Sequence, residues 1–121
     1  MPKQALVVNT KAEVSIIDIA EDSLRKLQSA VDGLIQPVDI DQRATMWVNE
    51  EGLFRNDLEM NPLGSGIYSE LFGVEHPIIG DIVFTGGTDE EGNTLGIPQD
   101  YLEALQELAS DYRVALSVFD F

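Results

Sequence analysis

Glu50-Glu51 is a pair of adjacent carboxylates in the run Asn49-Glu50-Glu51-Gly52. Paired carboxylates carry out general acid–base work when burial drives their pKa values apart. This run reads instead as a tight turn whose Gly52 supplies a positive φ. A turn tip is wet, so the pair reads as solvated acids or as a contact for a cationic partner. Asp89-Glu90-Glu91-Gly92-Asn93 offers oxygens to a hard cation. A calcium loop beginning at Asp89 would need Gly at its sixth position and Glu at its twelfth. Thr94 and Asp100 stand there, and the segment reads as a solvated loop. Gly86-Gly87-Thr88 follows an apolar run, but no Gly-Lys-Ser/Thr comes after it and its neighbours are acidic, so it is not a phosphate loop. His76, the single histidine, precedes Pro77 and reads as a loop residue. A His-based zinc site recruits more than one such ligand, and no serine or threonine is marked as a nucleophile that His76 could activate. No catalytic residue, metal site or cofactor is expected.

The charge pattern is more informative. Residues 1–43 carry five basic residues against seven acidic ones, a net of −2. Residues 44–121 carry two against fifteen, a net of −13. Such a field repels nucleic acid and anionic membrane and draws in cationic surfaces. Acidity also keeps a protein soluble without any partner. There is no cysteine, which excludes disulfides, thiolate chemistry and cysteine-based zinc sites. No apolar run approaches the roughly 20 residues that span a bilayer. The Met-Pro-Lys-Gln start lacks the pattern of a signal peptide. A soluble, cytoplasmic protein is expected.

The elements that would position these residues follow from periodicity. A chain of 121 residues forms one domain, residues 1–121, with one core. Ala5-Leu6-Val7-Val8 and Val14–Ile19 read as a hairpin. Leu24, Leu27 and Val31 recur at helical spacing behind Asp22 or Ser23 as cap, with Gly33 as the left-handed stop. Residues 34–40 are extended, and Pro37 marks an edge or a bulge. Residues 45–49 form a strand, and Leu53-Phe54 reads as the returning arm of a hairpin. Asn61 caps a short helix with Pro62 in its first turn, ending near Gly73. Residues 78–86 are β-rich on both faces and read as a central strand. Pro98 opens the longest helix, residues 98–111, and residues 113–119 read as a final strand. This order predicts an α+β, two-layer domain, with a mainly antiparallel sheet and two or three helices packed on it.

Three pieces occur together: Leu27-Gln28 with Val31, Gly33 and Ile35; the Trp47–Gly52 turn followed by Asn61-Pro62; and Ile79-Gly80-Asp81-Ile82-Val83 leading to Thr85-Gly86. In these the chain resembles an uncharacterised family of small proteins of bacteriophages and mobile elements, over roughly residues 5–110. The family usually carries Gly where Asp32 sits. The resemblance implies no chemistry and no catalytic residues. It implies a phage accessory protein that acts on a host function.

The expectation is therefore a non-enzymatic binding protein that engages a host protein with a basic surface, as an anti-defence factor or, in the strongest form, a DNA mimic. Its partner-binding residues would be Glu50, Glu51, Asp57, Glu59, Asp89, Glu90 and Glu91, with Trp47 and Tyr68 as amphipathic anchors. Trp47, Phe54, Tyr68 and Phe72 could instead fill the core. The alternative is a protein that binds or sequesters a nucleotide signal, for which Arg25, Lys26, Arg43, Arg55 and Arg113 would supply cations. A homodimer, paired through hairpin edges or through Phe119-Asp120-Phe121, completes the expectation.

Overall fold

The structure, a computed structural model, describes residues 3–118. Five strands form one sheet: β1 (Gln4–Val8), β2 (Val14–Asp18), β3 (Ile35–Asp41), β4 (Ala44–Asn49) and β5 (Ile82–Gly86). Their spatial order is β2-β1-β5-β4-β3, and every neighbouring pair is antiparallel. The described residues also form three α-helices, α1 (Ser23–Val31), α2 (Pro62–Phe72) and α3 (Gln99–Val118). The α+β class and the antiparallel sheet match the sequence reading, and β5 is central as expected.

The helices divide between the two faces of the sheet. Leu6, Val8, Met46, Ile82 and Phe84 project to one face, where α2 and α3 cover them with Leu63, Ile67, Leu102, Leu105 and Ala109. Ala5, Val83 and the half-buried Trp47 project to the other, against Leu27 and Val31 of α1. The result is three layers where two were expected. The cause lies in β1 and β5, whose successive residues alternate between the faces and are apolar on both, so each face needs a cover.

Other differences are local. No strand forms at residues 113–118, because α3 continues through them. Tyr112 and Leu116 prolong the stripe of Leu105, Leu108 and Ala109 onto the core, and neither Gly nor Pro interrupts the run. The expected Phe119-Asp120-Phe121 contact lies outside the described residues. Leu53-Phe54 does not return as a strand: Gly52–Phe54 form one turn of 3-10 helix. Gly52 does not have a positive φ; a side chain there would press on Ile79 at 3.3 Å. At the start of α1, Asp22 makes no capping bond and pairs with Arg25 instead, at 2.9 Å. At its end Asp32, not Gly33, takes the left-handed conformation, with φ 60°. Asp is among the few residues with a side chain that visit this region readily.

The two sheet edges differ. The backbone bond from Glu50 N–H to Leu34 C=O fixes the hydrogen-bonded positions of the β3–β4 ladder, and Ile35, Pro37 and Asp39 therefore point their backbone groups outward. Pro37 thus places its missing donor on the free edge, which blunts it. On β2 the bonds from Asn9 N–H to Glu13 C=O and from Ile19 N–H to Lys3 C=O fix the same parity. Val14, Ile16 and Asp18 point outward there, with no proline among them.

Candidate functional site

Among the described residues the most exposed large apolar side chains lie in the 3-10 turn. Phe54 is 87% exposed and Leu53 is 64% exposed, as adjacent residues. They form the lip of a recess of about 300 Å³. Its floor and walls are Val38 and Val48 from the sheet, Tyr68 from α2, and Ile78 and Ile79 from the segment before β5. Glu50 is the one acidic side chain lining it, and His76 closes the side next to Tyr68. The His76 and Tyr68 rings lie 5.8 Å apart, and Tyr68 stacks at a tilt on Phe72 at 4.6 Å.

Local structure explains this lip. Asn49 ends β4 buried, and its amide donates to the carbonyls of Val31 and Asp32 at 3.0 and 3.1 Å while its oxygen accepts from Glu51 N–H at 2.8 Å. The chain is thereby turned away from the sheet at Glu50, and the 3-10 turn hangs Leu53 and Phe54 over the recess. Arg55 fixes the far side of the turn. Its guanidinium donates to Asp57 and to both the carbonyl and the carboxylate of Asp32. Asp57, bonded by Arg55, is held below the usual carboxylate range, and Arg55 is pushed correspondingly up.

The expected partner-binding residues do not converge on one face. Glu50 and Tyr68 meet at the recess, with Glu51 next in the chain. Asp57 is occupied by Arg55, and Glu59 lines a separate polar hollow with Lys11, Asp32 and Asp81. Asp89, Glu90 and Glu91 follow β5, whose Gly86 pairs with Ala44 at the opposite end of β4. The two acidic groups are thus separated by the length of β4, roughly 15 Å. Asp89 organises its own loop: it accepts from the backbone N–H groups of Asn93 and Glu91 at 2.8 and 2.9 Å, and these bonds lower its pKa. Trp47 lies on the α1 face, opposite to Tyr68, and its indole N–H donates to Thr85 Oγ1 at 2.9 Å. The sequence marks Phe54, whose exposure defines the recess, only as one of several aromatics, because a strand at Leu53-Phe54 would not leave both side chains in water.

The cations expected for an anionic ligand are likewise dispersed. Arg25 pairs with Asp22 and Arg43 with Asp100, at 2.9 and 2.7 Å. Asp100 is lowered by its bond from Arg43. Lys26 donates to the Asp18 carbonyl at 2.9 Å. Among the described residues no group of three or more His, Cys, Asp or Glu side chains is placed to hold a metal ion, and no helix is long and apolar enough to cross a membrane.

Even with all seven basic residues paired, 15 of the 22 acidic residues are left without a counter-charge. Self-repulsion destabilises a compact acidic chain, and exposed ion pairs contribute little against it. Raising NaCl from about 10 mM to about 500 mM shortens the screening length from about 30 Å to below about 5 Å. We expect the melting temperature, read by differential scanning calorimetry, to rise by about 3 °C or more. A flat or falling curve would show that the charges are locally balanced.

Searches of curated proteins and of solved structures find nothing that matches the chain at a significant level. A family model described as a domain of unknown function, DUF3846, matches residues 2–110, and the chain belongs to that family.

Proposed function

We propose that this chain is a non-enzymatic binding protein whose recess at Phe54 receives an apolar side chain of a protein partner, with Glu50 meeting a cationic group beside it. The observation that carries this reading is the pair Leu53-Phe54, exposed at the lip of a concave apolar surface. Adjacent large apolar side chains left in water at a recess are the usual mark of an interaction site. The field of the acidic C-terminal two-thirds speeds the encounter with a basic surface, while the recess supplies most of the affinity. The resemblance to phage and mobile-element proteins makes that partner a host protein in the bacterial cytoplasm, bound by an accessory or anti-defence factor. The separation of the acidic groups to two ends of the sheet favours this local contact over DNA mimicry along one face.

The test is affinity capture from bacterial lysate with wild type, Phe54→Ser and Glu50→Lys, at low and high salt. Phe54→Ser should weaken retention of the wild-type partner by about 30-fold or more, as expected for a central apolar anchor. Glu50→Lys should weaken it mainly at low salt, through the rate of association. Identical captured proteins for all three chains, or none for wild type at either salt, would refute the reading.

A further inference from the structure

Among the described residues no strand covers the outer edge of β2. Its outward backbone groups belong to Val14, Ile16 and Asp18, as the β1–β2 parity requires. Among the described residues one of them is engaged, the Asp18 carbonyl, which accepts from Lys26 Nζ. The opposite edge of the sheet is blunted by Pro37, whereas β2 carries no proline, no bulge and no charge at its centre. Ile16, at that centre, is 44% exposed. Natural proteins seldom leave such an edge bare.

We propose that this edge joins two copies of the chain, through antiparallel pairing of β2 with β2 about a two-fold axis at Ile16. Ile16 then faces its own image as a hydrogen-bonded pair, and Val14 of each copy lies opposite Asp18 of the other. The pattern closes on itself: the central apolar side chain covers its copy, and the two sheets become one. Electrostatics selects this occupant over a basic segment of another protein. Residues 1–31, which carry β1, β2 and α1, hold Lys3, Lys11, Arg25 and Lys26 against Glu13, Asp18, Glu21 and Asp22, a net of zero. The β2 side is where a second molecule of net charge −15 meets the least repulsion. A cationic partner is drawn instead to the side of β3 and β4, where Asp39, Asp41 and Glu50 lie.

Pro at position 16 supplies the decisive variant. The Ile16 N–H is not used by β1, so Ile16→Pro removes the intermolecular donor and leaves the hairpin ladder intact, as Pro37 does on the other edge. Ile16→Lys is the second variant, which places a charge against its own image. Sedimentation velocity of the full chain at about 200 µM should show a dimer whose dissociation constant falls about threefold or more as NaCl rises from about 20 to about 300 mM. Both variants should weaken it by about tenfold or more with unchanged far-UV circular dichroism. Amide exchange at Ile16 and Asp18 should slow as protein concentration rises. A monomer at every salt, a dimer that survives both variants, or concentration-independent exchange at Ile16 would overturn the proposal. The same holds for a dimer that loosens as salt rises.

Discussion

Asn61→Ala should cost this fold about 4 kcal/mol, near the upper end of single substitutions. Asn61 is fully buried. Its side-chain oxygen accepts from Gly64 N–H at 2.7 Å, capping α2. Its amide donates to the carbonyls of Val8 and Gly80, at 2.9 and 3.0 Å. One side chain therefore ties a helix start to the end of β1 and to the turn before β5. Alanine removes a cap worth about 1 kcal/mol and leaves two buried carbonyls short of a donor, at about 1–3 kcal/mol each. Asn61→Asp separates these roles. Aspartate caps a helix as well as asparagine does. Here its second oxygen would face two carbonyl oxygens, and burial without a donor raises its folded pKa above the unfolded value near 3.9. A raised carboxylate pKa means that the native state holds the proton more tightly. Asn61→Asp should then be destabilised at neutral pH and recover as pH falls through the folded pKa towards the unfolded value. Urea unfolding followed by the fluorescence of Trp47, the single tryptophan, measures both variants. If Asn61→Asp at pH 7 matches wild type, the amide bonds carry no weight and Asn61 is only a cap.

Asn61 also shows how far the sequence could be read. Its capping role is local, since Asn followed by Pro and a helical stripe is a signal within one turn. Its bonds to Val8 and Gly80 join residues 53 and 19 positions away and have no local signature. The same division runs through the molecule. The edge position of Pro37 follows from its missing N–H, and the central place of β5 follows from apolar residues on both its faces. That pattern, together with β1, also contained the third layer, because a strand apolar on both sides needs two covers. In residues 113–118 local propensity and packing disagree: Val114 and Val118 favour a strand, whereas packing of Tyr112 and Leu116 on the core selects helix. The recess was hidden for a related reason. The exit of β4 is set by Asn49 reaching back to the end of α1, a tertiary bond that no periodicity records. The acids were legible as a net charge but not as an arrangement, because their separation depends on the β4–β5 register.

Gly86→Ala should unfold the protein more severely than any surface change, by about 3 kcal/mol or more. A Cβ at Gly86 would lie 2.3 Å from the carbonyl oxygen of Gly96 and 3.2 Å from the Leu95 side chain. Residues 95–97 cannot simply step aside. Gly86 N–H donates to Leu95 C=O at 3.0 Å, Leu95 N–H to Gly87 C=O at 2.8 Å, and Ile97 N–H to Gln4 C=O at 2.8 Å. Any shift that relieves the clash opens this ladder and lifts the chain leading into α3 from the start of β1. Gly87 is confined in the same way, since a side chain there would meet the Gln42 carbonyl oxygen at 2.4 Å. The Gly-Gly pair that follows β5 is thus required by close packing of backbone on backbone, which accounts for it without any phosphate. Gly92→Ala is the matched comparison. Gly92 has φ 84° but open space around it, so alanine there costs about 1–2 kcal/mol of left-handed backbone strain and no clash. Equilibrium urea denaturation of the two variants should therefore rank Gly86→Ala well below Gly92→Ala. If Gly86→Ala lay within about 1 kcal/mol of wild type, the 95–97 segment would have to yield freely, and the tight seating of the α3 entry against β1 and β5 would be wrong.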